Sequence, residues 1–231
     1  MTDRREVDAV AARYARRTGP DRYSILRPEV WLALQERQRA WLDVLARLRW
    51  HDLSRRTLVE VGCGAGGNLL EALRLGFQPA HLTGIELLPE RLAQAREVLP
   101  SGVTLIEGDA SRAALPADCA DVVWQSTVFS SLLDDAFQRQ LADAMWRWLK
   151  PGGGVLWYDF TVDNPRNPDV RGVPLRRVRE LFPRGAVSAR RVTLAPPLAR
   201  AACAVHPALY RALNLLPPLR THVLAWIEKT A

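Results

Sequence analysis

Lysine is nearly absent from this chain: Lys150 and Lys229 are the only two among 32 basic residues, and the other 30 are arginines. The formal charge of +7 invites a nucleic-acid reading. The arginines, however, are scattered beside Asp and Glu along most of the chain, as on solvated helix faces rather than along a phosphate track. Cysteine is scarce too. Cys63, Cys119 and Cys203 form no CxxC pair and leave one over if two were bridged, which argues against a disulfide framework and a zinc knuckle. No run approaches the ~20 apolar residues that span a bilayer, and the charged start MTDRREVDAVAARYARRTGP lacks the apolar centre of a signal peptide. The expectation is a cytoplasmic protein. Internal repeats and low-complexity segments are also missing.

What is present is an alternation. At 231 residues and 48% hydrophobic, the chain can bury a full core as one domain. RPEVWLALQERQRAWLDVLARLRW places Trp31, Leu34, Trp41, Leu45 and Leu48 near helical spacing behind Pro28, which predicts a leading amphipathic helix. Strand patterns then alternate with helical ones: TLVEVG, NLLEALRLG, HLTGIEL, PERLAQAREVL, GVTLIEG, ADVVWQS, DDAFQRQLADAMWRWLK and GVLWYDF. Strands separated by helices of this length predict right-handed crossovers and a doubly wound, mostly parallel α/β sheet. After Phe160 the rhythm breaks. AVSARRVTL and THVLAWIEK suit an antiparallel pair at the sheet edge, and the proline-cut apolar segment between them suits an inserted helical cap.

The first strand runs into LVEVGCGAGGN, with four glycines before a helical pattern. Such a turn brings backbone amides and a helix N-terminus close to a ligand at the switch point of the sheet. Gly62, Gly64 and Gly67 satisfy GxGxxG, and Glu86 follows about 20 residues later, a match that suits a nicotinamide dinucleotide as well. Glu60, two residues before the first glycine, suits an ammonium better than a pyrophosphate. Asp109, in EGDA after the third strand, is placed to bond an exocyclic purine amine.

VEVGCGAGG, GIELLPERLAQAR, EGDAS and LKPGGGVLWY, in this order, resemble the class I S-adenosylmethionine-dependent methyltransferases from Thr57 to about Phe160. The resemblance implies a Rossmann-like seven-stranded sheet, with an N-terminal helical segment (1–56), a cofactor-binding core (57–160), a lid and cap (161–220) and a last strand (221–231). It also implies S-adenosylmethionine as cofactor, no metal, and roles for particular residues. Glu60 falls near the methionine amino group, and Gly62, Cys63, Gly64 and Gly66 form the backbone cradle. Glu86 takes the ribose hydroxyls, Leu87 lies against adenine, and Asp109 and Ala110 lie at its edge. Gln125 and Ser126 fall beside the methionyl part, although family members often carry an acidic or aromatic residue near Gln125.

Methyl transfer needs an aligned acceptor and exclusion of water, and an oxygen acceptor gains from a base. Asp159, His206 and His222 are the candidate bases, while Phe129, Ser130, Tyr158 and Asn164 are candidate acceptor contacts past the fourth and fifth strands. O-methylation of a small molecule is the favoured reading. A non-catalytic binder on the same fold is the alternative. Nucleic-acid methylation is disfavoured because QSTVFS stands where an NPPY-type motif would be. From Arg166 to Arg191 eight arginines face Asp169 and Glu180, just ahead of the apolar Ala195–Leu219. If the two adjoin at the pocket mouth, they suit an acceptor with an anionic head, or peripheral contact with the inner face of an anionic membrane. Solvated arginines beside an ordinary cap are the other reading.

Overall fold

The computed structural model describes residues 2–16, 24–165 and 167–230; Arg166 of the basic stretch lies outside them. Short apolar runs set the centre of the molecule. β1 (Leu58–Val61), β2 (Leu82–Glu86) and β4 (Ala120–Ser126) are almost wholly buried, as strands covered on both faces must be. β3 (Thr104–Glu107) lies at one edge and is half-exposed. Between them, α3 (Gly67–Leu75) stops at Gly76, whose φ is 108°, and α4 (Pro89–Val98) opens on Pro89. α5 (Asp135–Trp148) is capped by the Asp134 carboxylate, which accepts from the Ala136 and Phe137 amides.

β5 (Leu149–Phe160), β6 (Gly185–Leu194) and β7 (Arg220–Lys229) complete a seven-stranded sheet in the order β3-β2-β1-β4-β5-β7-β6. β1 to β5 are parallel, and β7 is antiparallel to both its neighbours. This is the expected plan, with β7 inserted between β5 and β6 so that β6 forms the edge. β5 begins at Leu149, ahead of the expected start at 154. Its pairing jumps from Ala120–Leu149 to Val122–Gly154, so Lys-Pro-Gly-Gly (150–153) bulges from the ladder with Gly152 at φ 77°.

Alternation along the strands divides the core. Val61, Val123, Val155 and Trp157 face α5 and α6 (Leu175–Leu181), and Val10 of α1 (Thr2–Ala15) joins this layer. Leu58, Val122, Trp124 and Leu156 face α2 (Pro28–Arg47), α3 and α4. Trp41 of α2 sits between Trp124 and Trp226, with ring centroids 6.0 and 6.3 Å away. Such aromatic pairs add about 0.5–1.5 kcal/mol beyond the area they bury, which fixes α2 over the middle of the sheet.

The cap exists. α7 (Pro196–Val205) and α8 (Pro207–Asn214) pack on the N-terminal half of α2, with Leu32, Leu194, Ala199 and Tyr210 as a small core of their own. The Ala195 amide donates to the Leu219 carbonyl at 2.9 Å, so the insertion leaves and rejoins the sheet at one point.

One expectation is overturned here. Arg176, Arg177 and Arg179 do not adjoin the cap: they ride on α6, which packs against α5, whereas the cap packs against α2 on the opposite face. Arg176 and Arg177 are also paired with Glu180, at 3.3 and 3.4 Å, and Arg171 with Asp135. Neighbours in sequence were separated because β6 carries the chain along the sheet edge between them.

Candidate active site

The strand order reverses between β1 and β4, which opens a crevice at their carboxyl ends. The glycine loop lines it. Gly62, Gly64 and Gly66 all hold positive φ, at 66°, 55° and 85°. A Cβ on Gly62 would lie 2.6 Å from Val128 Cγ2, and one on Gly66 would lie 2.8 Å from Leu99 Cδ1. The loop is thus bare for two reasons, backbone conformation and the side chains pressed on it. Cys63 is buried beside it, and burial first, then the neighbouring Glu60 and Glu86, pushes its thiol far above its usual range. It is a packing residue with no thiolate at neutral pH.

Glu86 ends β2 and organises the loop. Its Oε2 accepts from the Gly64 amide at 2.7 Å and its Oε1 from the Leu88 amide at 3.0 Å. Each oxygen keeps a second lone pair for a ligand hydroxyl. Leu87 is half-buried against the core beside it. Asp109 and Ala110 stand at the end of β3: Asp109 Oδ1 accepts from the Ser111 amide at 2.8 Å, and its Oδ2 lies 3.6 Å from Arg112 Nε. Gln125 is fully buried at the end of β4. Its Oε1 accepts from the Val128 amide at 3.1 Å, so it shapes the turn under the pocket. Ser126 Oγ accepts from Trp124 Nε1 at 3.0 Å.

Glu60 is buried to 1% exposure. Its Oε1 accepts from Asn68 Nδ2 at 2.6 Å, and Asn68 Oδ1 accepts from Arg37 Nη2 at 2.7 Å. Arg37 Nη2 also lies 3.6 Å from the Glu71 carboxylate, and the guanidinium lies 5.3 Å from the ring centre of Tyr158. Two atoms of this chain of contacts, Glu60 Oε2 and Arg37 Nε, are buried without a hydrogen-bond partner. Other buried atoms without a partner, such as Trp41 Nε1 and Trp148 Nε1, lie in the core; this pair differs in joining an acid and a base through Asn68, and such groups call for an explanation, a ligand being one. Burial, only partly offset by Asn68 and Arg37, lifts the Glu60 carboxyl to about 8.

On the far side of β4 the expected acceptor residues divide. Tyr158 and His222 come together, their rings stacked with centroids 5.1 Å apart. The Tyr158 hydroxyl lies 2.9 Å from Thr193 Oγ1, and burial raises its pKa. Burial, with the Arg37 charge, lowers His222 to about 4, so its imidazole is neutral at pH 7. Asp159 is fully buried on the other face of β5. Its two oxygens accept from the Ser130 and Phe160 amides at 3.1 and 3.0 Å, and burial lifts it to about 7. Phe129 is buried against Trp157, 4.6 Å between centroids, and the Ser130 hydroxyl donates to the Thr127 carbonyl at 3.2 Å. The Asp159 bond to the Ser130 amide ties the turn at 129–131 to the end of β5. His206 is exposed on the cap, where its Nδ1 caps α8 by accepting from the Ala208 amide. Asn164 is exposed at the head of a turn closed by the Asn167 amide.

Sequence reasoning missed Arg37, Asn68 and the role of α1. Glu36 and Arg37 are charges set within the buried stripe of α2, a signal that was available. α1 gave little signal, being charged throughout, yet it runs across the strand ends. Arg13 pairs with Glu6 at 2.6 Å and donates to the Ser131 carbonyl, Glu6 accepts from the Leu133 amide, and Tyr14 lies 5.4 Å from the Arg91 guanidinium on α4.

Residues 58–153 match a family described as a methyltransferase domain. A trans-aconitate 2-methyltransferase of Afipia carboxidovorans is 31% identical over 192 residues, 83% of this chain and 67% of that protein. A 2-methyl-6-phytyl-1,4-hydroquinone methyltransferase of Synechocystis sp. is 34% identical over 122 residues, 52% of this chain but only 35% of its own length. In fold, the chain is similar to a geranyl diphosphate C-methyltransferase from Streptomyces coelicolor A3(2), with a TM-score of 0.61 and 17% identity, over 83% of this chain and 77% of that one.

Proposed function

Since the chain belongs to the class I S-adenosylmethionine-dependent methyltransferases, we propose that its crevice directs a methyl group to an oxygen of a small-molecule acceptor. The protein is an enzyme of that class and S-adenosylmethionine is its cofactor. When bound, the cofactor supplies an electrophilic sulfonium methyl group.

The observation that carries the residue assignments is the pair of unpartnered buried atoms, Glu60 Oε2 and Arg37 Nε, one on a carboxyl and one on a guanidinium, bridged by Asn68. An α-amino acid end carries an ammonium and a carboxylate side by side and completes both. Glu60 then takes the ammonium and Arg37 the carboxylate. Glu86 holds the ribose hydroxyls with its remaining lone pairs, while the amides around Gly62, Cys63, Gly64 and Gly66 form the cradle. Leu87, Asp109 and Ala110 bound the adenine, and Gln125 and Ser126 support the methionyl arm.

On the acceptor side, Tyr158 and His222 form the wall. A neutral imidazole can accept the hydrogen bond of an acceptor hydroxyl and orient its oxygen, and orientation with exclusion of water is the main demand of in-line displacement. Asp159 acts as an anchor for the 129–131 turn. The cap lies on this side of the sheet, against α2 and the end of β6, whereas the loop that Asp163 ties to the Gly172 amide at 2.8 Å lies by the 129–131 turn, where the Arg171 amide donates to the Ser130 carbonyl. A small organic acceptor is also what the names of the two curated relatives indicate.

The test has two stages. Calorimetric titration with S-adenosylmethionine establishes the site; incubation with methyl-labelled cofactor and a panel of carboxylates and phenols, read by mass spectrometry, establishes the acceptor atom. Label found on carbon or nitrogen alone would overturn the oxygen assignment and leave the cofactor site standing.

A further inference from the structure

The structure assigns the α7–α8 cap a second surface: we propose that its outer face docks on an anionic lipid bilayer. Large apolar side chains stand in solvent at this corner. Val205 and Leu215 are each 76% exposed, and the exposed Leu198, Leu209 and Leu216 belong to the same insertion. Leu26, 89% exposed, and Trp31 continue the corner from the start of α2, on which the cap packs. Most of the large apolar residues exposed among the described residues fall here. A soluble surface rarely gathers so much apolar area in one place unless something covers it.

Charge identifies the occupant. No acidic residue occurs between Glu180 and Glu228, a stretch that includes β6, the whole cap and most of β7. Arg200 and Arg211 project from α7 and α8 into solvent, and Arg39 of α2 faces Arg211 across a cavity of about 370 Å³ at the rim of the patch. None of the three has an ion-pair partner among the described residues. The carboxylates at this face are already engaged, Glu29 by Arg27 at 2.8 Å and Glu36 by the Thr193 amide at 2.9 Å and Arg220 at 3.9 Å, so a second copy laid symmetrically would bring Arg39, Arg200 and Arg211 onto guanidinium groups like themselves. An anionic bilayer meets both features at once: acyl chains receive the leucines, a tryptophan at the margin suits the interface, and lipid phosphates neutralise the arginines. No helix of the described residues is long and apolar enough to cross a membrane, so the contact is peripheral.

The docking surface is independent of the cofactor residues and is tested without activity. The whole protein is sedimented with vesicles of phosphatidylcholine alone or with phosphatidylglycerol added, at low and at physiological salt. The expected result is sedimentation with the anionic vesicles, weakened as salt rises. The triple variant Arg39→Gln, Arg200→Gln, Arg211→Gln is expected to lose about tenfold or more in partitioning. The variant Val205→Ser, Leu215→Ser, Leu216→Ser is expected to lose at least as much, with an unchanged melting temperature for both. Protein left in the supernatant with anionic vesicles at low salt overturns the proposal. So does light scattering that shows a concentration-dependent dimer abolished by the serine variant, since a second copy is then the occupant. Equal binding to zwitterionic vesicles, untouched by either variant, overturns it as well.

Discussion

Arg37 and Glu60 are held at the two ends of a single side chain: Asn68 accepts from one and donates to the other, at 2.7 and 2.6 Å. The amide fixes the sign of each end. Replacing Arg37 with Ala is expected to weaken S-adenosylmethionine binding by about 1.5–3 kcal/mol, the usual worth of a hydrogen bond to a charged group. Lysine should restore little, because a single ammonium does not reproduce the guanidinium's contacts with Asn68 and Glu71. Calorimetric titration of the folded variants decides this; an unchanged Kd removes Arg37 from the site.

Proton release offers a separate reading of Glu60. With its pKa near 8, the carboxyl is mostly protonated at pH 7. An ammonium placed against it favours the carboxylate, so binding should expel a proton and tighten as pH rises from 6 toward 8. Titrations in buffers of different ionisation enthalpy measure the proton directly. Glu60→Gln should abolish the release, and a wild-type protein that binds without it would contradict the assignment.

Fold stability should respond to pH through two buried groups in opposite directions. Asp159 is raised to about 7 from 3.8, so the folded state holds its proton longer, and the group's contribution falls as pH rises from about 4 to about 7. His222 is lowered to about 4 from 6.5, so the unfolded chain takes up the extra proton, and its contribution is lost as pH falls from about 6.5 to about 4. Asp159→Asn should therefore flatten the decline toward pH 7, and His222→Gln the decline toward pH 4. Denaturant midpoints across pH 4–8 for the three proteins provide the comparison.

Gly62 and Val128 make a reciprocal pair. Gly62→Ala forces a methyl group to 2.6 Å from Val128 Cγ2 at a positive φ, and a loss of about 1–3 kcal/mol in stability is expected. Adding Val128→Ala should return the steric part and leave the backbone part, so the double variant should be more stable than Gly62→Ala alone. If the two losses simply add, the contact is not what excludes the side chain.

Much of this was legible because the physics is local. Glycines before a helix, an acid at the end of the second strand and apolar runs of strand length are written in neighbouring residues, and β1, β2, β4 and their crossovers appear where those signals stand. Arg37 was hidden because its role depends on α2 lying across the sheet, a packing fixed by Trp41 between Trp124 and Trp226. That Asp159 would accept from the Ser130 amide was not legible either, because it depends on the turn after β4 folding back onto the end of β5. The separation of Arg176, Arg177 and Arg179 from the cap had no sequence signal, since nothing in the residues before β6 states on which face of the sheet the chain will resume.

The hydrogen bond between Ala195 and Leu219 has an evolutionary consequence. Because the cap enters and leaves at one point, its length and chemistry can change without shifting the register of β6 on β7 or disturbing the glycine loop. Selection can act on that cassette as a separate module, so homologues are expected to diverge in what they methylate, and where, faster than in how they hold the methyl donor.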